Sequence, residues 1–513
     1  MNKNSSSFQS TNPATGKILW QGKEAGAKEI SLAVCAARHA FFSWSTLPVE
    51  RRKEYLIRFK ERLSVEKESF AIAISEETGK PLWESLLEVD AMIAKVEISF
   101  RAYEERCREV KREKNGAVSV TRFKPHGVLA VLGPFNLPGH LPNGHMIPAL
   151  LAGNTVVFKP SEYTPLVGER LVKLWQSAQI PSGVLNLIQG AGKTGASLVS
   201  HKELDGVLFT GSARAGKAIH QVFSGNPRKI LALEMGGNNP LVVGQVSDIR
   251  AAVYMTLQSA YLTSGQRCVC ARRLVICESS KSKLFLKLLI ETAQKLRVGF
   301  YTDRPEPFMG PLISPAAAKK CLDAQKNLVH LGGKILLPCT SLRGLAAKQP
   351  GRSNLDSEIA SAKLLADKSV LAVKTRPVPR NDAFLTPGII DVTRVLNRPD
   401  EEIFGPILQV IQVPNFDKAI EIANQTAYGL AAGLLSDDQK EYQNFFRHSI
   451  AGVINWNQPL TGANSEAPFG GVGQSGNHHP SAYFAADYAA YPVASMEKEK
   501  LVLPERLTPG IEV

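Results

Sequence analysis

The sequence predicts an α/β protein built on parallel sheets and divided into at least two large domains. Two observations carry this. From residue 127 onward, short apolar runs alternate with stretches of helical periodicity, and strands that alternate with helices form a parallel sheet covered on both faces. The chain also has 513 residues, more than one hydrophobic core serves.

Taken in order, residues 27–43, 49–78 and 82–108 carry apolar residues at helical spacing, punctuated by Gly79-Lys80-Pro81. The alternation then pairs a strand at 128–132 with a helix at 142–151, 155–158 with 164–178, 184–188 with 193–200, and 207–209 with 213–223. A strand at 231–234 opens a second section, with helices at about 247–263 and 280–295 and further alternation from about 388 to 455. Residues 337–383 break the rhythm with Gly-, Ser- and Pro-rich stretches around one Ala/Leu/Lys run at 357–369. They read as a surface insertion with one helix. The end, from Pro492, has few apolar anchors and reads as a segment reaching towards a neighbouring subunit.

Bulk properties exclude several classes. Hydrophobic content of 44% with 21% charged residues is ordinary for a soluble enzyme. No run of about 18 apolar residues occurs, so no transmembrane helix is expected. The polar start lacks the apolar core of a signal peptide, which points to the cytoplasm. Seven scattered cysteines argue against a disulfide framework. Cys268 and Cys270 lack zinc-ligand spacing, so no metal is expected. The net charge of +14 is spread without a dense basic tract. It suits an acidic small molecule better than nucleic acid.

Five short stretches carry chemistry. Cys268 follows Gly265-Gln266-Arg267; a thiolate attacks carbonyls, and a positive neighbour lowers the thiol pKa, with Arg267 expected to supply that charge. Cys270 is the rival nucleophile. Glu234 ends an apolar strand before Gly236-Gly237, where a carboxylate beside an apolar pocket suits a general base; the plain alternative is a cap on the Gly-Gly turn. Asn136, between prolines after the strand at 128–132, offers an amide donor to an oxyanion, or is simply a turn residue. Lys159 and Glu162 follow another strand and suit ribose hydroxyls, and a free carboxylate there favours NAD over NADP. Gly211-Ser212-Ala213-Arg214-Ala215-Gly216 opens a helix whose amides suit a pyrophosphate. Its Gly-x4-Gly spacing departs from the dinucleotide fingerprint. Gly190 to Gly195 mimics a phosphate loop but lacks the required Lys-Ser/Thr, and reads as a strand-to-helix turn.

In this order, with Glu402, Phe404 and the Pro468-Phe-Gly-Gly loop, the pattern resembles the aldehyde dehydrogenase superfamily over almost the whole chain. The resemblance implies two open parallel-sheet, Rossmann-like domains and a small oligomerisation strand arm. The NAD-binding domain would take 1–106 and 126–235, the catalytic domain 236–463, and the bridging segments 107–125 and 480–513. It implies Cys268 as nucleophile, Glu234 as base and Asn136 in the oxyanion hole. For the cofactor NAD it implies Lys159 and Glu162 on the adenosine ribose, Ser212 on the pyrophosphate, and Glu402 with Phe404 at the nicotinamide riboside. It further implies a homo-oligomer, a dimer or tetramer.

Finer motifs resemble one branch, which oxidises the succinylated semialdehyde of arginine catabolism. They are 138–145, 231–240, 265–273, Asn455-Trp-Asn457 with 459–463, and Gly476-Asn-His478. His140, Arg267 and Asn457 are then candidates to line the site for a small acidic aldehyde. Two features depart from the pattern. The chain lacks the usual leading strand before Asn12-Pro13, and Gln458 and His479 stand where that branch carries Lys and Arg. Glutamate or succinate semialdehyde is the alternative substrate. A non-catalytic relative is the alternative from another class.

Overall fold

The computed structural model describes residues 7–114, 117–342, 382–504 and 506–513. Two parallel sheets organise it. The first has five strands in the order Leu185–Leu187, Thr155–Lys159, Val128–Leu132, Gly206–Gly211, Ile230–Met235, every pairing parallel. Its inner strands, Val-Leu-Ala-Val-Leu and Thr-Val-Val-Phe-Lys, are buried at every position. Helices cover both faces, so these strands read as unbroken apolar runs rather than alternating ones.

The second sheet has seven strands: Lys334–Leu337, Gly388–Asp391, Ile407–Val413, Arg273–Cys277, Pro240–Val243, Ala431–Leu435 and Val453–Trp456. All pairings are parallel except that of the edge strand Lys334–Leu337. A third, antiparallel sheet joins Val110–Lys114, Ala117–Pro125 and Ala490–Glu497. The fold class expected from the sequence is the one observed.

Three expectations need correction. The strand around Glu234 closes the first sheet, pairing with Gly206–Gly211, and does not open the second. A leading strand does exist: Ser7–Thr11 pairs with Ile18–Lys23 across the Asn12-Pro13 turn. Its alternating, half-exposed pattern gives a weaker apolar signal than the buried strands. The helix expected over 49–78 is two, Val49–Val65 and Lys67–Thr78, meeting at Glu66. Most of the expected insertion, with its helix, lies outside the described residues.

The helix Leu82–Arg106 matters most for the site. Glu84, Glu88, Ala91 and Lys95 recur along it at one-turn spacing, which sets them on one face. That face looks across a pocket at the loop carrying Cys268.

Candidate active site

Cys268 sits at the end of a constrained loop. The helix Ile249–Tyr261 is capped by the Asp248 carboxylate, which accepts from the Arg250 and Ala251 amides; such a cap contributes about 1 kcal/mol. Past it, Thr263 and Ser264 both hold positive φ, a conformation that costs a non-glycine residue of order 1–3 kcal/mol and persists only when its surroundings enforce it. The enforcement is visible. Arg272, wholly buried, donates to the Gly265 carbonyl at 2.6 Å and the Arg267 carbonyl at 2.8 Å. The Asn239 amide donates to the carbonyls of Cys268 (2.7 Å) and Cys270 (2.9 Å). Gly265 also has positive φ, and a Cβ there would lie 2.2 Å from the Gly405 carbonyl oxygen.

Burial pushes the Cys268 thiol up to about 12, and the nearby carboxylates of Glu402 and Glu234 add to the rise. Arg272 is the cation that opposes it. The expectation that Arg267 activates this thiol is therefore corrected. The Arg267 guanidinium donates to Glu84 at 2.8 Å and to the Thr263 hydroxyl at 2.7 Å, facing the helix wall. Cys270 is buried, with its sulfur directed at the Leu262 carbonyl, while Cys268 is partly accessible from the pocket.

Glu234 stands near the end of the last strand of the first sheet. One carboxylate oxygen accepts from the Ser481 amide at 3.1 Å; the other is buried without a partner. Burial raises its pKa well above the usual carboxylate value. The loop from Gly470 to Ala482 clamps this strand: the Asn477 side chain accepts from the Leu233 amide and donates to the Leu231 carbonyl, as a neighbouring strand would. The Gly-Gly turn after Glu234 answers another need. A Cβ on Gly236 would meet the Glu402 carboxylate at 1.8 Å.

Asn136 is buried in the loop after Val128–Leu132, next to Leu137, which lines the pocket. Phe135 packs edge-on against Phe404 at 5.8 Å. Phe404 lies 5.3 Å from the Arg272 guanidinium, and Arg272 donates to Glu402 at 3.1 Å. One buried arginine thus ties the nucleophile loop to the Glu402–Phe404 segment.

The pocket holds about 400 Å³. It opens on Cys268, Arg267 and His140, with Glu84, Glu88 and Lys95 on the helix wall. Burial lowers His140 to about 4, so it is neutral near pH 7, and its Nδ1 has no partner. Asn457 is not among the residues that line this pocket, against expectation. At φ +52 its side chain turns back, accepting from the Ser436 amide and donating to the Ser436 carbonyl. The same segment reaches the pocket further on, through Thr461 and Asn464.

The ends of the first sheet gather the remaining candidates. Lys159 is buried and donates to the Pro160 carbonyl (2.6 Å) and the Gly190 carbonyl (2.9 Å). Burial lowers it to about 8, and the charge of Glu162 opposes that. Gly211 ends its strand and Ser212 caps the helix Ala213–Phe223, its hydroxyl accepting from the Ala215 amide at 3.3 Å. The amides of Ala213 and Arg214 remain first-turn donors without an intrahelical acceptor. Gly216 lets this helix approach the sheet, since a Cβ would meet the Met235 sulfur at 2.2 Å. The Gly190–Gly195 segment is the expected turn, leading into the helix Gly192–Val199.

Sequence reasoning missed Arg272, Asn239 and Lys95. Arg272 and Asn239 stand inside recognisable motifs, but nothing in a motif says which way a side chain turns. Lys95 had no local signal.

The aldehyde dehydrogenase family matches residues 1–352 and 344–491 of the chain. N-succinylglutamate 5-semialdehyde dehydrogenase of Chromobacterium violaceum is 50% identical over 501 residues, covering 98% of this chain and 96% of that protein. The protein of the same name from Pseudomonas fluorescens is 51% identical over 506 residues, covering 99% and 96%. Among solved structures, PnpE from Pseudomonas sp. WBC-3 superposes with a TM-score of 0.83 at 28% identity, covering 98% of this chain and 96% of that one. PnpE has also been solved in complex with nicotinamide adenine dinucleotide. The chain belongs to the aldehyde dehydrogenase family and is an oxidoreductase acting on aldehydes.

Proposed function

We propose that the protein oxidises N-succinyl-L-glutamate 5-semialdehyde to N-succinyl-L-glutamate with NAD, in the cytoplasmic breakdown of arginine. The observation that carries this is identity of 50% and 51%, over nearly full length, to two proteins named for that activity. A pocket that brings the Cys268 thiol together with Lys95, a cation without a paired carboxylate among the described residues, supports it.

The residues present fit a nicotinamide dinucleotide. Lys159 and Glu162 offer a donor and an acceptor at a strand end, the first turn of Ala213–Phe223 leaves free amides, and bare Gly236 lets the Glu402 carboxylate close in on the strand end beside Glu234. A nicotinamide dinucleotide held there would supply the hydride acceptor. Glu162 favours NAD over NADP, because a 2′-phosphate would face a carboxylate.

On this reading the Cys268 sulfur, once deprotonated, attacks the aldehyde carbon and forms a thiohemiacetal. The Asn136 amide and the Cys268 N–H donate to the developing oxyanion. Loss of hydride leaves a thioester on Cys268. Glu234 takes a proton from water, whose oxygen attacks the thioester; the acid leaves and the thiol is restored. With only one amide donor on its carboxylate, Glu234 keeps a free oxygen for that proton. Among the described residues the third, antiparallel sheet pairs with no further strand beyond Val110–Lys114 or Ala490–Glu497, which suits assembly as a dimer or tetramer.

The test is NADH formation by the purified protein with N-succinylglutamate, glutamate and succinate semialdehydes. Preference for the succinylated substrate by more than tenfold in kcat/KM is expected, despite Gln458 and His479. Equal or better use of a smaller aldehyde overturns the substrate assignment and leaves the chemistry standing.

A further inference from the structure

We propose that Lys95 receives a carboxylate of the substrate inside the pocket and so selects acidic aldehydes. The proposal rests on the acidic-aldehyde reading above and names the residue that would enforce it.

The charges around the pocket are unevenly paired. Glu84 is committed to Arg267 and to the Thr263 hydroxyl. Glu88 is committed to Lys80 in a buried ion pair, and its other oxygen accepts from the Gly139 and His140 amides at 2.9 and 3.0 Å. Arg267, the other cation on the wall, spends its charge on Glu84. Lys95 is different. It is 1% exposed and lines the same pocket, and its ammonium donates to one neutral group, the Ala482 carbonyl, at 2.6 Å. Among the described residues no carboxylate pairs with it.

An ammonium out of water without a counter-ion is costly, and proteins rarely keep one without use. Burial lowers Lys95 to about 7, and its charge adds to the burial that lowers His140 and His145. An arriving carboxylate would supply the missing counter-ion, raise the lysine again and fix it as a cation. The position is apt. Ala482, which holds Lys95, directly follows Ser481, whose amide holds Glu234. One short segment therefore registers the cation against the proposed base. Two of the three donor positions of the ammonium remain for a ligand. His140 and Glu84, which line the same pocket, each also keep a polar atom without a partner, Nδ1 and Oε2.

The test uses the full chain with NAD and three aldehydes: N-succinylglutamate semialdehyde, succinate semialdehyde and hexanal. Lys95→Met removes charge and donor. Lys95→Gln removes the charge but keeps a donor for the Ala482 carbonyl. In both variants kcat/KM for the acidic aldehydes should fall thirtyfold or more, mainly through KM, with a loss for hexanal at least tenfold smaller. Equal losses on all three aldehydes would make Lys95 structural and overturn the proposal. So would an unchanged KM for the acidic aldehydes in Lys95→Gln. Should both variants fail to fold, Ala91→Glu places a carboxylate one turn away on the same face. It should raise KM for the acidic aldehydes and spare hexanal, and an unchanged KM again overturns the assignment. A wild type that prefers hexanal to both acids defeats the acidic-aldehyde reading itself; a wild type that prefers the acids while Lys95→Gln keeps that preference defeats only the lysine.

Discussion

The two sides of the pocket treat carboxylates in opposite ways. On the strand-end side, Glu234 is buried with one amide donor and a bare second oxygen, and its pKa rises. On the helix wall, Glu84 and Glu88 are equally buried, yet each is held by a cation, Glu84 by Arg267 with the Thr263 hydroxyl on the same oxygen and Glu88 by Lys80 with two amides on the other. Burial alone favours the neutral acid, and a paired cation favours the anion. One side therefore keeps a carboxylate whose proton can come and go. The other ties its carboxylates into ion pairs that set the shape of the wall.

The largest test of the strand-end side is its partner, the thiol. Cys268→Ala should reduce turnover by about 10³-fold or more and leave NAD binding intact by fluorescence titration. Cys270→Ala should retain most activity, because that sulfur is buried beneath the loop. Substantial turnover in Cys268→Ala would move the nucleophile to Cys270 and detach the accessible thiol from the comparison.

Glu234→Gln comes next. Losing a positioned base should slow deacylation by about 10²–10⁴-fold, leaving a burst of one NADH per site and a trapped acyl-enzyme. The pH sign follows from the raised pKa. The carboxylate form grows only as pH rises through that raised value, so wild-type deacylation should climb with pH, and the Gln variant should lack that limb. Wild-type steady-state turnover in the variant would remove Glu234 from the mechanism.

The wall should respond in stability instead. Glu88→Gln leaves the Lys80 ammonium buried without its counter-ion and should cost roughly 3–5 kcal/mol, read as a lower midpoint in urea. Adding Lys80→Met should recover much of that. Glu234→Gln, which breaks no ion pair, should cost far less. Equal losses at the two carboxylates would erase the distinction drawn between the two sides.

That distinction also explains what could be read from the chain. Asn136, Lys159, Ser212 and Glu234 each stand where a buried strand stops and Gly, Pro or a helix start follows, so local pattern marks them. Glu88 and Lys95 sit within an unbroken helix, where charges at one-turn spacing look like a solvated face. What lies opposite a helix is set by tertiary packing, which periodicity does not carry. Arg267 and Asn457 show the converse. Both occupy motif positions beside the site, but Arg267 turns to Glu84 and Asn457 turns back to Ser436. Adjacency in sequence does not give side-chain direction, and the positive φ of Asn457 is one that asparagine adopts more readily than most residues but that the sequence alone does not mark.

The smallest expected effect belongs to the strand ends of the first sheet, where Glu162 is half-buried and open to solvent. There a carboxylate is neither stripped of partners like Glu234 nor clamped like Glu88, so its influence should be modest. Two charges about 4 Å apart interact by about 1 kcal/mol in a water-like dielectric, so Glu162→Gln should improve the NADP/NAD ratio of kcat/KM by about fivefold, and by somewhat more for a doubly charged phosphate. The gain should shrink at high salt, because exposed charges are screened. Lys159 should then lose the carboxylate that opposes its burial and bind ribose less well, so NAD itself should weaken slightly. An unchanged ratio at low salt would show that Glu162 does not discriminate between the cofactors, and would pass that selection to the shape of the turn between Gly190 and Gly195, which packs against the Lys159 side chain.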